Sequence, residues 1–427
     1  MAMVMLLIAL ALLGAGIPVA FVFGGSALAA ALLSPDMGLE VFNVLPFRIY
    51  GIMSNATLMA VPLFILMGLL LERSGMAEKL LIAMTSMFGS LRGGLAVSVV
   101  LVGTILAATM GIVSASVVMM SLIALPLMMK AGYSKELSTG TIAASGTLGQ
   151  IIPPSVILII LGDVMNIGVG ELFAGAVLPG LVLVSLYILY ILAAAHLRPD
   201  VAPPLKDEHR TANVLSVVLA IAPMLGLMVV VLGSIFAGIA TPSESAAFGV
   251  VGAALLAALN RTLSRAMLVE SVRETLKLSG MIFMILIGAT AFSLVFNELG
   301  GSEQIIEFFG HNVDSAWTFI AIAMAVIFIL GFFIDFIEIS FIIVPILVPV
   351  MHAYGIDPLW FAILIAMNLQ TSFLTPPFGL SLFFVKGAAG NLVSSLQIYR
   401  GIIPFVVLQI IALGLVMLFP DLVFAFV

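Results

Sequence analysis

Charge is what this chain has least of. Only 8% of its 427 residues are Asp, Glu, Lys or Arg, 63% are hydrophobic, and the mean hydropathy is +1.33. A soluble domain carries roughly 25% charged residues, so a water-soluble globule is excluded and an all-α polytopic membrane protein is expected. Cysteine is absent, which rules out disulfides, thiolate metal sites and cysteine catalysis but does not choose a redox compartment. The four histidines, His196, His209, His311 and His352, show no metal-ligand spacing. No nucleotide-binding loop, His-Glu-x-x-His helix, paired catalytic aspartates or Ser-His dyad is present, and no basic run suits nucleic acid. The chain does not read as an enzyme. The apolar N-terminal stretch lacks a basic leader and reads as membrane segment, not as a cleavable signal peptide.

What the chain does have is helix breakers in two matched places. Gly146-Thr-Leu-Gly-Gln-Ile-Ile-Pro-Pro-Ser155 interrupts an apolar run with residues that cost backbone entropy or lack an amide donor. Asn368-Leu-Gln-Thr-Ser-Phe-Leu-Thr-Pro-Pro-Phe-Gly379 repeats the break 223 residues later. Without a gap, Pro126 matches Pro349, Gly132 matches Gly355, Ala143 matches Ala366, and Pro153 and Pro154 match Pro376 and Pro377. Unwound backbone inside a membrane survives only where protein, water or a bound ion satisfies it, and paired breaks in two halves point to a transport site. A transporter is therefore expected.

Two repeats organise the chain, 1–200 and 213–427, with a proline-bearing linker at 201–212. In the first, two short passes meet near Ile17-Pro18, residues 36–56 form an interfacial connection, and 57–71 spans, with Glu72, Arg73, Glu78 and Lys79 marking an aqueous face. The stretch 93–129 is too short for two passes at about 20 residues each and reads as a re-entrant hairpin. A broken helix at 136–162 and a return at 172–197 follow. The second repeat, inverted, places spans at 213–235, 244–259 and 278–297, an interfacial basic helix at 262–277, a hairpin at 317–350, a broken helix at 358–388 and a last helix at 401–424. With both termini outside, every one of the fifteen basic residues except Arg48 falls on the inner side, as charge bias requires.

Each half thus offers a hairpin tip facing a break. Hydroxyls of Ser114, Ser116, Ser145, Thr147, Thr371, Ser372 and Thr375, with unwound carbonyls, suit a hard monovalent cation such as sodium. Half-helix N-termini suit a carboxylate. Neither tip nor loop contains Lys or Arg, so an organic anion would be held by dipoles, hydroxyls and co-bound cations. The plainer reading of each serine is a bond to a carbonyl one turn back. Asp335 and Glu338, in a second tip Asp335-Phe-Ile-Glu-Ile-Ser340, read as cation ligand, proton carrier or helix cap, because an unpaired intramembrane carboxylate is costly. Glu244 reads as part of a helix first turn capped by Thr241 or Ser243.

These motifs, with Thr241-Pro-Ser-Glu-Ser-Ala-Ala247, Gly331-Phe-Phe-Ile-Asp335 and Leu374-Thr-Pro-Pro-Phe-Gly379, resemble the large membrane subunit of the tripartite ATP-independent periplasmic (TRAP) transporters. The resemblance runs over essentially the whole chain. It implies an elevator fold related to the divalent anion/sodium symporters, in the bacterial inner membrane, with a small four-helix membrane subunit and a periplasmic substrate-binding protein as partners. It implies uptake of an organic acid with two or more sodium ions. The implied first sodium site is Ser114, Ser116, Gly146, Gly149 and the Ile152 carbonyl before Pro153, and the second is Asp335, Thr371, Leu374 and Thr375. The substrate candidates are Ser145, Thr147, Gln150, Pro154, Glu338, Ser340, Gln370, Pro377 and Gly379. Gln150, Gln370 and Ser381 depart from the commoner family pattern, which leaves the acid open. A self-sufficient sodium- or proton-coupled anion symporter is the competing function.

Overall fold

The computed structural model describes residues 1–35, 37–110, 113–205 and 214–427. Asp36, residues Gly111 and Ile112 of the expected first tip at 110–116, residues 206–212 of the expected linker and residue 213 lie outside the described residues. Among the described residues every regular element is a helix. Its helices are α1 (Ala2–Gly14), α2 (Val19–Leu33), α3 (Leu45–Met53), α4 (Ala60–Arg73), α5 (Met76–Phe88), α6 (Gly94–Met110), α7 (Val113–Lys130), α8 (Lys135–Thr147), α9 (Val156–Met165) and α10 (Val169–Leu197). The second half holds α11 (Val214–Phe236), α12 (Pro242–Leu259), α13 (Arg265–Glu298), α14 (Gly301–Asn312), α15 (Ala316–Leu330), α16 (Phe336–Ala353), α17 (Pro358–Leu374), α18 (Leu380–Ala389), α19 (Ser395–Leu418) and α20 (Asp421–Phe424). Among the described residues, 7 helices are long and apolar enough to cross a membrane singly, and α4 with α5 makes a further pair bent by 62°.

Local chemistry accounts for most boundaries. Gly16, at φ +80°, and Pro18 separate α1 from α2, as expected for two short passes. Hydroxyls cap α8, α13, α15 and α19 through Ser134, Ser264, Ser315 and Ser394. Two expectations need correction. The basic segment, from Arg265, and the span 278–297 are one 34-residue helix, α13, since it holds no proline and its two glycines, Gly280 and Gly288, cost only about 1 kcal/mol each. At ~1.5 Å per residue that helix is far longer than the hydrocarbon core, and its polar half is held by Arg73, which reaches Glu270 at 2.9 Å and Glu274 at 3.1 Å. The region after Arg73 is also more than an aqueous face. Helix α5 buries Met76, Leu80, Leu81 and Met84, and α14, unforeseen, buries Ile305 and Phe309.

The repeat extends to helix bounds and packing. Helices α7 and α16 begin and end at the same 223-residue offset, and so do the starts of α2 and α12 and of α8 and α17. Contacts are reciprocal: α4 packs on α12 as α13 packs on α2, α7 on α18 as α16 on α9, and α8 on α19 as α17 on α10. Exchange of that kind is what a two-fold relation between halves imposes.

The α8–α19 crossing depends on glycine at both partners. A methyl on Gly140 would strike the Gly401 carbonyl, and one on Gly401 would lie 3.0 Å from the Glu136 Cα and closer still to the Glu136 carbonyl. Backbone cannot yield as a side chain can, so Gly401→Leu should destabilise the protein by about 1–3 kcal/mol or more. Thermal unfolding in detergent measures it; an unchanged midpoint would contradict this packing.

Candidate functional site

Helix α8 is buried along its length from Leu137 to Thr147 and tightens into a 3-10 turn, Leu148–Gln150, before the chain unwinds through Ile151–Ser155 into α9. Helix α17, buried from Leu359 to Leu374, unwinds through Thr375–Gly379 into α18. Both Pro-Pro peptides, 153–154 and 376–377, are cis. Each break frees carbonyls that hydrocarbon cannot solvate, and each half solves this in the same way. Ser155 Oγ donates to the Gln150 carbonyl at 2.8 Å, and Ser381 Oγ donates to the Phe373 carbonyl at 2.8 Å. Gln150 and Phe373 are repeat partners, so the same carbonyl is capped from beyond the break in both halves.

The hairpin tips close onto these breaks. A methyl on Gly146 would lie 3.0 Å from the Val117 Cα, which places the end of α8 against the first turn of α7, beside buried Ser116 and half-buried Ser114. In the other half a methyl on Gly331 would collide with the Ser372 hydroxyl, and the rings of Phe336 and Phe373 stand 6.2 Å apart. The α15–α16 tip therefore sits on the end of α17. Gly149 and Leu374 are buried, Ile152 and Thr375 partly so.

Candidate hydroxyls bond backward. Ser145 donates to the Ile142 carbonyl (3.1 Å), Thr147 to Ala144 (2.9 Å), Thr371 to Met367 (2.9 Å), Ser372 to Leu369 (2.8 Å) and Thr375 to Thr371 (2.7 Å). A hydroxyl that has spent its proton this way still has a lone pair to offer a cation. Asp335 is the N-cap of α16. Its Oδ1 accepts from the Phe336 amide at 2.6 Å, while Glu338 Oε2 accepts from the Asp335 amide at 2.9 Å, a capping box. Glu244 forms the same box with Thr241, as expected.

Between the breaks lies an uncharged polar group. Gln370 Nε2 donates to Thr147 Oγ1 at 3.4 Å, and these two residues are exactly one repeat apart, so the contact sits where a two-fold axis must pass. Gln150 follows Thr147 by one 3-10 turn, in which side chains three apart eclipse, so it shares that face. Both carboxamide atoms of Gln150, the Gln370 Oε1 and the Ser340 hydroxyl are buried with no hydrogen-bond partner. Among the other substrate candidates, Pro154 and Gly379 are buried, whereas Pro377 is exposed and its carbonyl accepts from the Tyr399 hydroxyl at 3.3 Å. Glu338 lines a separate cavity of about 440 Å³, shared with Ile17, Pro18, Met281 and Ile285. No cluster of three or more His, Asp or Glu suited to a metal occurs among the described residues.

One link escaped the sequence reading. Asn55 Oδ1 accepts from the Thr57 amide at 2.8 Å ahead of α4, and its Nδ2 donates to Asp163 Oδ1 of α9 at 2.5 Å. Asn in a turn ahead of a helix was a legible signal; its partner 108 residues away was not.

Comparison with known proteins bears on what this geometry does. The family model described as "Tripartite ATP-independent periplasmic transporter, DctM component" matches residues 4–422. Similar proteins include the C4-dicarboxylate TRAP transporter large permease protein DctM of Pseudomonas aeruginosa, 29% identical over 92% of this chain and 90% of that one. The ectoine TRAP transporter large permease protein TeaC of Halomonas elongata is 31% identical, covering 86% and 85%, and the sialic acid TRAP transporter large permease protein SiaM of Vibrio cholerae is 28% identical, covering 96% and 95%. In fold, the chain matches the Alcanivorax borkumensis YdaH transporter with a TM-score of 0.68 at 15% identity, over 92% of this chain and 91% of that one.

The serine caps yield a direct test. Ser155→Ala and Ser381→Ala each leave a buried carbonyl unpaired and should each cost about 1–3 kcal/mol. Ser185→Ala, whose exposed hydroxyl bonds the Leu181 carbonyl on α10, serves as the control and should be nearly neutral. Equal thermal midpoints for all three would show that the breaks do not rely on these hydroxyls.

Proposed function

The chain belongs to the tripartite ATP-independent periplasmic transporter family as its DctM component, the large permease, and on that premise we propose that it imports an organic acid anion across the inner membrane by sodium symport. The observation that carries this reading is the polar group on the repeat axis: Thr147, Gln150 and Gln370, buried, uncharged and incompletely paired. A buried carboxamide without partners costs about 1–3 kcal/mol, which a substrate with oxygen acceptors and a hydroxyl or oxo group would relieve. C4-dicarboxylate and sialic acid, named for two of the relatives, are organic acids.

Because the group lacks a basic side chain, the substrate's charge is balanced by ions that enter with it. The first cation takes the hydroxyls of Ser114 and Ser116 and the carbonyls of Gly146, Gly149 and Ile152. The second takes Asp335, Thr371 and the Leu374–Thr375 backbone. Outward lone pairs of back-bonded hydroxyls fit a hard monovalent ion. Each net positive charge that enters gains about 2.3 kcal/mol per 100 mV. The repeats are inverted, with both termini periplasmic, and a small membrane subunit and a soluble periplasmic binding protein complete the assembly.

Movement follows the packing. Helices α6 to α9 and α15 to α18 travel as one body against a frame that includes α4 and α13, and the Asn55–Asp163 bond joins body to frame in this state. It must break when the body moves. The chain contains no cysteine, so Asn55→Cys with Asp163→Cys is a clean pair: oxidation should arrest uptake and reduction restore it. Normal transport by crosslinked protein would refute the moving body.

Coupling is tested in liposomes holding the chain, a small subunit and a binding protein. Ser116→Ala and Thr371→Ala should each raise the sodium concentration for half-maximal uptake by about three- to tenfold. Asp335→Asn should raise it too if the carboxylate holds sodium, abolish acid-driven uptake if it carries a proton, and change little if it only caps α16, since Asn is also a good cap. Unchanged sodium curves in all three would overturn the site assignment. Sodium-indifferent uptake by the chain alone would favour the self-sufficient symporter.

A further inference from the structure

We infer that the bundle carries a phospholipid headgroup site, apart from the paired breaks, in a cavity of about 580 Å³ enclosed by the first turn of α8, the last turns of α10 and the first turns of α19. Arg198, just beyond the end of α10, and Arg400, near the start of α19, both line it. Among the described residues the ion pairs are both made by Arg73, so neither of these guanidinium groups is paired with a carboxylate. Glu136 lines the same cavity. Two cations and one anion leave a single positive charge, the complement of one phosphodiester. A planar guanidinium binds phosphate oxygens through two parallel bonds, and two of them can share one phosphate.

The cavity is also two-sided in polarity. Its arginines lie where two candidate spans end, at the depth of lipid headgroups, while Tyr190, Leu197 and Pro404 supply an apolar wall. Tyr190 sits about two turns below Arg198, ~12 Å along the helix, so the wall descends toward the hydrocarbon. Exposed Leu189 and Ile403 on the neighbouring faces of α10 and α19 continue the apolar surface outward. A soluble anion would use only the arginines. A lipid uses both parts, and basic pockets between helix ends at the interface are where phosphate headgroups bind.

The test is titration of the delipidated full chain with phosphatidylglycerol, read by native mass spectrometry. One saturable lipid is expected, with affinity about tenfold weaker in Arg198→Gln/Arg400→Gln and unchanged in Arg48→Gln, an exposed arginine elsewhere. Arg198→Lys/Arg400→Lys keeps the charge but loses the fork, and its affinity should fall between; it also stands in should the Gln pair fail to elute as a single species. Equal affinity in wild type and both double variants overturns the site. Displacement of the lipid by inorganic phosphate at the concentration at which phosphatidylglycerol itself saturates overturns the lipid assignment, because it would show that the apolar wall contributes nothing.

Discussion

In hydrocarbon no backbone amide or carbonyl can be left to the solvent, and the whole architecture follows from where the chain breaks that rule and how it compensates. It does so twice, at Ile151–Ser155 and at Thr375–Gly379. The first is sunk inside the bundle and the second opens to the surface at Pro377 and Phe378, and in both a serine from beyond the break closes a carbonyl at the helix end. Each is faced by a hairpin tip whose close approach is set by a glycine, Gly146 on α8 and Gly331 before α16. Helices α8 and α17, which lead into the breaks, are buried along nearly their whole length by the helices around them.

The two-fold relation that places the breaks side by side also lets them differ. On the axis, Thr147 meets its own repeat partner Gln370. One step away the partners diverge: Gln150 is a carboxamide, whereas Phe373 packs its ring on Phe336. The neighbouring prolines diverge as well, Pro154 being buried and Pro377 exposed. The frame is thus repeated while its lining is not. The polar residues that line it, Thr147, Gln150 and Gln370, are uncharged.

Among the described residues, polar ties between distant helices are few. The frame is tied across the halves by Arg73 with Glu270 and Glu274, at the polar end of a helix that outruns the bilayer. The parts that carry the breaks meet that frame through apolar contact and the Asn55–Asp163 bond. A single hydrogen bond of this kind is worth only about 0.5–1.5 kcal/mol, or up to ~3 with a charged partner.

Composition, the paired Gly/Pro breaks and their constant offset determined the membrane class, the helical architecture and the places where two buried helices unwind, because breakers act on their own backbone and hydropathy acts on each span alone. The capping box at Thr241 and Glu244 was legible for the same reason: its partners are three residues apart. The continuity of α13 was not, since Gly280, Gly288 and a change from polar to apolar can as well end a helix as be carried through, and contacts with α2, α4 and Arg73 decide between them. Nor could local sequence show that Gln370 reaches Thr147, that Glu338 turns into a cavity beside Pro18 rather than toward the carboxamides, or that Asn55 finds Asp163. Those pairings join residues from opposite halves or distant helices, and only the packing of one helix on another, set by side-chain volume and close approach across the whole bundle, determines which of many polar groups share a space.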